Sequence, residues 1–174
     1  MSNPLAEFLL ISRRYLRGDY LPKILVCLET LGDGDVWWRM NDASNSIGNL
    51  VLHLSGNARQ WIVSGVGGAP DNRKRQTEFD QRAVIPRIDL AERLRSTMME
   101  VDETLAAVDP TKLLEARRIQ GLDTTVMGAI YHVVEHFSTH TGQIVMLTKQ
   151  RTGKDLGFWE ARADGTVARR WEPL

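Results

Sequence analysis

Apolar residues recur at steps of three and four along most of the chain, which is the spacing of one face of an α-helix. The first predicted helix runs from Pro4 to about Leu31 and contains Gly18 and Pro22. Because proline lacks an amide donor and clashes with the preceding turn, Pro22 is expected to bend or divide this helix. A second helix is predicted from Ile47 to about Ile62, with the Asn45-Ser46 pair as its N-terminal cap.

The chain beyond the second helix predicts a long crossover and a third helix. The glycine-rich segment 65–70 cannot continue a helix, and the polar stretch Asp71 to Arg82 is predicted to be a crossover. The third helix is predicted from about Asp89 to Ala107, because Asp109-Pro110 prevents it from continuing.

A fourth helix is predicted to start after Thr124 or Thr125 and to run to about Lys149, with Gly153 marking its end. The preceding segment, Leu113 to Gln120, is ambiguous and allows a short extended piece. The tail shows no clear period, although Trp159 and Trp171 suggest that part of it packs against the helices. With no convincing series of strands, the pattern predicts an all-α fold, a four-helix bundle with a long crossover between the second and third helices.

Length and charge narrow the classes of protein that this chain can belong to. Its 174 residues suit a single domain, residues 1–174, with a core large enough to need no disulfide. The 22 basic and 22 acidic residues cancel, which argues against nucleic acid or an anionic membrane as a partner. The lone cysteine, Cys27, lies in an apolar run and is expected to be a small buried hydrophobe. Without a signal-like or membrane-spanning segment, a cytoplasmic location is expected.

The histidines are the strongest indication of chemistry. Of four in the chain, His132, His136 and His140 follow one another at steps of four in the fourth predicted helix. Each step advances about 40° and rises about 6 Å, so either neighbouring pair can share a metal ion, whereas the outer two cannot. His53 on the second helix is the remaining histidine and completes three ligands with either pair. Three imidazoles suit zinc, nickel, copper or iron and leave a coordination position open.

Two segments carry a family resemblance: SIGNLVLHLSGN at 46–57, followed by QWI at 60–62, and HVVEHFSTHTGQI at 132–144. They resemble the DinB-like family of bacterial four-helix proteins, and the similarity extends over nearly the whole chain. The resemblance implies that His53, His136 and His140 bind one divalent transition metal ion, nickel or zinc, because the second histidine of the family's pair lies two residues before the Gly-Gln. Thr141 departs from the arginine that many relatives carry before this Gly-Gln.

Other polar residues are assigned to the surroundings of this site. His132 is expected to line the pocket one turn away or to pack between helices. Asn49 and Asn57 stand four residues on either side of His53, so they are expected to hydrogen-bond near the ligands or to satisfy local backbone groups. The Arg73-Lys74-Arg75 cluster is expected to be solvated, or to meet an anionic substrate as a lid.

The resemblance also implies a class of function. Similar proteins include thiol-dependent transferases and isomerases that use bacillithiol, mycothiol or glutathione, so a metal-dependent S-transferase acting on a small molecule is the leading hypothesis. A metal-dependent hydrolase would use the same ligands, and a non-enzymatic, stress-related metal-binding bundle is the third alternative. The resemblance implies a homodimer, and no catalytic residue beyond the three histidines is identified.

Overall fold

The computed structural model describes residues 3–170, and most of them are helical. The first helical segment consists of α1, Pro4–Tyr15, a π-helical turn, Leu16–Tyr20, and α2, Leu21–Thr30. Of the two effects expected at Pro22, bending or division, the helix is not divided: it continues through a wider, π-helical turn. The widening lies directly before Pro22, where the missing amide hydrogen interrupts the ladder of α-helical hydrogen bonds.

The second segment begins with a short helix, α3, Asp33–Val36, and continues with α4, Ile47–Ala58, and a second π-helical turn, Arg59–Ser64. Ser46 caps α4, since its side chain accepts the Asn49 amide while the Asn49 side chain accepts the Ser46 amide. Another short helix, α5, Arg75–Asp80, lies in the predicted crossover.

The remaining helices are α6, Arg87–Ala106, a 3₁₀ turn, Pro110–Lys112, and α7, Val126–Thr152. As predicted, Thr125 caps α7, because its hydroxyl accepts the Gly128 amide. Gly153 ends the helix with φ of 64°, a left-handed conformation that favours glycine.

The expectation of an all-α chain is corrected by two antiparallel hairpins. One pairs β1, Ala116–Ile119, with β2, Leu122–Thr125, and the other pairs β3, Trp159–Ala161, with β4, Val167–Arg169. Strands of three or four residues are too short for an alternating pattern to reveal them, although the ambiguous 113–120 segment contains β1. Trp159 lies in β3, whereas Trp171 falls outside the described residues.

The position of α4 at the centre of the core determines where the candidate site lies. This helix packs against α5, α6 and α7, and each of its residues except Gly56 is buried. Cys27 is buried as expected, and burial raises the pKa of its thiol to about 11. No helix within residues 3–170 is long and apolar enough to cross a membrane.

Candidate metal centre

Three histidines from two helices converge at the contact between α4 and α7. His53 comes from α4, and His136 and His140 come from successive turns of α7. One ring nitrogen from each lies within 4.8 Å of the others, and Nε2 of His53 is 2.8 Å from Nε2 of His136. Nitrogens that share one zinc ion stand roughly 3–4 Å apart, so the donor set fits a single transition metal ion.

His53 is the buried member of the group, and a carboxylate from the crossover holds it. Its side chain packs against the Phe79 ring, with 4.7 Å between ring centroids, and Nδ1 lies 2.9 Å from Oε2 of Glu78. Nη2 of Arg73 lies 3.2 Å from the same nitrogen, so a carboxylate oxygen and a guanidinium group both approach Nδ1, while Nε2 faces His136.

Glu78 is itself paired with Arg73, whose Nε and Nη2 donate to its two oxygens at 2.7 and 2.8 Å. Burial alone would raise the pKa of Glu78, but the hydrogen bonds from Arg73 and His53 outweigh it and lower that pKa. The expectation that Arg73 is solvated is wrong, since its side chain is only 5 % exposed. Lys74 and Arg75 are exposed, as expected for a loop cluster.

Sequence reasoning did not find Glu78, because it lies 25 residues from His53 in a polar segment without helical period. The sequence of α4, rather than that of the crossover, does contain a sign that a polar group packs against this helix. A helix that is otherwise buried carries polar or small residues at steps of four and three: Asn49, His53, Gly56 and, in the following turn, Gln60. Such a stripe indicates a polar partner packed against that side.

Burial favours the neutral form of His136 and His140. Burial, together with the charges of neighbouring histidines, lowers the pKa of His136 to about 3, and burial also lowers the pKa of His140. The Gln143 Oε1 atom lies 2.7 Å from Nδ1 of His140, so this nitrogen donates and Nε2 is left as the donor atom for a metal. Neutral imidazoles with free lone pairs are the form that binds transition metals.

His132 lies beside the three histidines, where its ring packs against Trp61 at a tilt of 37°, with 4.0 Å between ring centroids. Asn57 Nδ2 donates to His132 Nε2 at 3.2 Å, and burial lowers the pKa of His132. Of its two expected roles, packing between helices therefore describes His132 better, while Asn57 contacts it rather than a member of the converging set.

Asn49 holds the crossover instead of touching a histidine, because its Nδ2 donates to the backbone carbonyls of Glu78 and Gln81. Thr141 lines a cleft of about 270 Å³ with Tyr20 and Ser138, and no histidine lines this cleft. The difference from relatives at position 141 therefore leaves the converging histidines untouched.

Comparisons with known proteins agree with this fold. Residues 10–160 match the model of a family described as a protein of unknown function, DUF1572. A crystal structure of a DinB-like protein from Bacillus cereus superimposes with a TM-score of 0.62 and 16 % identity, covering 79 % of this chain and 88 % of that chain. No curated protein matches the sequence. The chain therefore belongs to the DUF1572 family, which is a DinB-like family.

Proposed function

We propose that this protein is a metal-dependent enzyme in which His53, His136 and His140 hold one divalent transition metal ion, nickel or zinc. The observation that carries the proposal is the convergence of three imidazole nitrogens within 4.8 Å of one another. We further propose that residues 1–174 form a single DinB-like domain whose four long helical segments make a four-helix bundle with the crossover between the second and third.

The protein's own groups prepare this site for an ion that can still take an external ligand. Glu78 contacts Nδ1 of His53, and burial keeps His136 and His140 neutral. His136 and His140 remain partly exposed, which gives a small molecule access from solvent. Three protein ligands leave a coordination position for a substrate, as in catalytic rather than structural zinc sites. When bound, the ion would supply the Lewis acidity that makes a thiol or water nucleophilic near neutral pH.

A low-molecular-weight thiol is the proposed co-substrate, as in the thiol-dependent transferases that this chain resembles. The charge balance at the site supports an anionic ligand, because the three imidazoles carry no charge to offset a divalent cation. The carboxylate of Glu78 does not offset it either, since Arg73 already neutralises that group.

Titration with a small thiol tests this function. Cobalt-substituted protein is expected to develop a sulfur-to-cobalt charge-transfer absorption that strengthens as the pH rises toward the pKa of the free thiol. The His140→Ala variant should lack this band, whereas His132→Ala, with the three ligands intact, should retain it. Turnover of an ester or amide without any spectral response to thiols would replace the transferase by the hydrolase alternative. Absence of both responses would favour the non-enzymatic bundle.

The homodimer and the cytoplasmic location remain part of the proposal. The homodimer rests on the resemblance to the DinB-like family. The cytoplasmic assignment rests on a single cysteine that is buried as a thiol.

A further inference from the structure

Residues 71–82, the strap, fold back over α4 and carry the buried carboxylate of Glu78. We propose that Glu78 is a positioning residue that holds the His53 ring with Nε2 directed at His136 and His140. This inference rests on the proposed metal site, because it concerns how the protein orients one of the ligands. It differs from a purely structural role, in which the Arg73–Glu78 pair would only fasten the strap.

The contact between Glu78 and His53 selects one tautomer of the ring. Oε2 of Glu78 lies 2.9 Å from Nδ1, whereas Nη2 of Arg73 lies 3.2 Å from the same nitrogen and already donates to Oε2. A ring with its hydrogen on Nε2 would set the Nδ1 lone pair against a carboxylate oxygen, which is repulsive. The hydrogen therefore belongs on Nδ1, and Nε2 keeps its lone pair for the metal.

The carboxylate is held from its other side by a chain of polar groups. Arg73 contacts both oxygens of Glu78, and its Nη1 donates to Oε1 of Gln60 at 2.9 Å. Gln60 in turn donates to Asp71 Oδ2 at 2.7 Å. A two-point contact with a guanidinium fixes both the position and the plane of a carboxylate, so Glu78 has little freedom to leave His53.

Helix α4 is shaped to receive the strap on the side that carries His53. Gly56 stands three residues after His53, and a Cβ atom at this position would overlap Oε1 of Glu78. Asn49 stands four residues before His53 and binds the Glu78 carbonyl at 2.9 Å and the Gln81 carbonyl at 3.1 Å. The absent side chain and the amide clamp together place the carboxylate beside the ring, and both belong to the same stripe of α4 as His53.

Glu78→Gln is the first test, and it has two readouts: the tautomer of His53 in the metal-free protein, and the affinity for added zinc. The glutamine amide donor must face either Arg73 or the His53 ring, both of which present donors, so the orienting contact is lost. Nitrogen-15 NMR of the metal-free protein is expected to show His53 protonated at Nδ1 in the wild type and a mixture of tautomers in the variant. Zinc affinity, measured by competition with a chromogenic chelator, is expected to fall about 10- to 100-fold.

Asp102→Asn is the matched control, because Asp102 is another largely buried carboxylate that is held by two arginines, Arg13 and Arg17. Within residues 3–170, its side chain hydrogen-bonds to these two arginines and to no histidine. Its loss is expected to change stability but to leave the His53 tautomer unchanged and zinc affinity within about twofold. An equal loss of affinity in this control would mean that any destabilisation weakens the site, and it would overturn the positioning role.

Gly56→Ala is the second variant, and it displaces the Glu78 carboxylate without removing any charge. Zinc affinity is expected to fall in the same direction as in Glu78→Gln. Unchanged affinity in both folded variants, or a wild-type His53 protonated at Nε2, would overturn the proposal. If the wild-type protein takes up no zinc, the metal proposal itself fails, whereas the tautomer of the metal-free protein still tests the orienting contact with Glu78.

Discussion

Replacing His136 with alanine is expected to abolish stoichiometric metal binding. His136 approaches both other imidazoles, with its Nε2 2.8 Å from Nε2 of His53 and its ring centroid 4.4 Å from that of His140. Removing it leaves two ligands on different helices, so affinity should fall by more than the roughly 100-fold that is typical of losing a partner of a ligand. His53→Ala and His140→Ala should behave alike, as measured by zinc content after dialysis.

His132→Ala is the control for this series, because it removes an imidazole from the same face of α7. Its ring packs against Trp61 and receives a hydrogen bond from Asn57, so zinc binding should be largely retained. Loss of zinc in His132→Ala together with its retention in His140→Ala would instead identify His132 and His136 as the ligand pair.

Replacing Phe137 with alanine is expected to cause the largest loss of stability among single substitutions on α7. Phe137 is fully buried in the apolar core, at 0 % exposure. Truncating a phenylalanine in such a place costs about 3–5 kcal/mol in the free energy of unfolding, because apolar contacts are lost and a cavity remains. For a chain of this size, that corresponds to a fall in Tm of roughly 6–20 °C.

Tyr131→Ala, six residues earlier on the same helix, is the comparison for Phe137→Ala. Tyr131 is 63 % exposed, so its free energy of unfolding should change by only about 0.5 kcal/mol or less. Urea denaturation of both variants measures the difference. Equal effects would show that the buried face of α7 has been assigned wrongly.

The helices could be predicted because the residues at their ends have side chains or backbone conformations that start or stop a helix. Thr125 and Gly153 bound α7 through a side-chain cap and a left-handed residue, and both effects depend on one residue and its immediate neighbours. The hairpins could not be predicted in the same way. Their strands have three or four residues, and the turn at Gln120-Gly121 depends on a positive φ at a non-glycine residue, Gln120.

The histidines show what helical spacing can and cannot predict about a metal site. A step of four places His132, His136 and His140 on one face, but spacing alone does not choose between the two neighbouring pairs. In the structure, the packing of α4 on α7 brings His53 close to His136 and His140, whereas His132 contacts Trp61 and Asn57. The family resemblance implies the same three histidines as metal ligands.

The residues behind the site were beyond sequence reasoning for a different reason. Arg73 and Glu78 belong to a polar segment that has every property of a solvated loop, and their burial depends on the path that this segment takes over α4. The room left by Gly56 and the amide of Asn49 determine that path. Glycine and asparagine occur on helices in many structural roles, so neither residue identifies a buried carboxylate without the fold.

Elemental analysis is the most direct test of the central claim that three histidines hold a metal ion. The protein should be purified without a histidine tag and without added metal, and its metal content compared with that of His136→Ala prepared in the same way. The wild type is expected to contain about one equivalent of a divalent transition metal per chain, and the variant almost none. A wild-type protein that contains no transition metal, and that retains none after incubation with zinc or nickel and dialysis, would contradict the account.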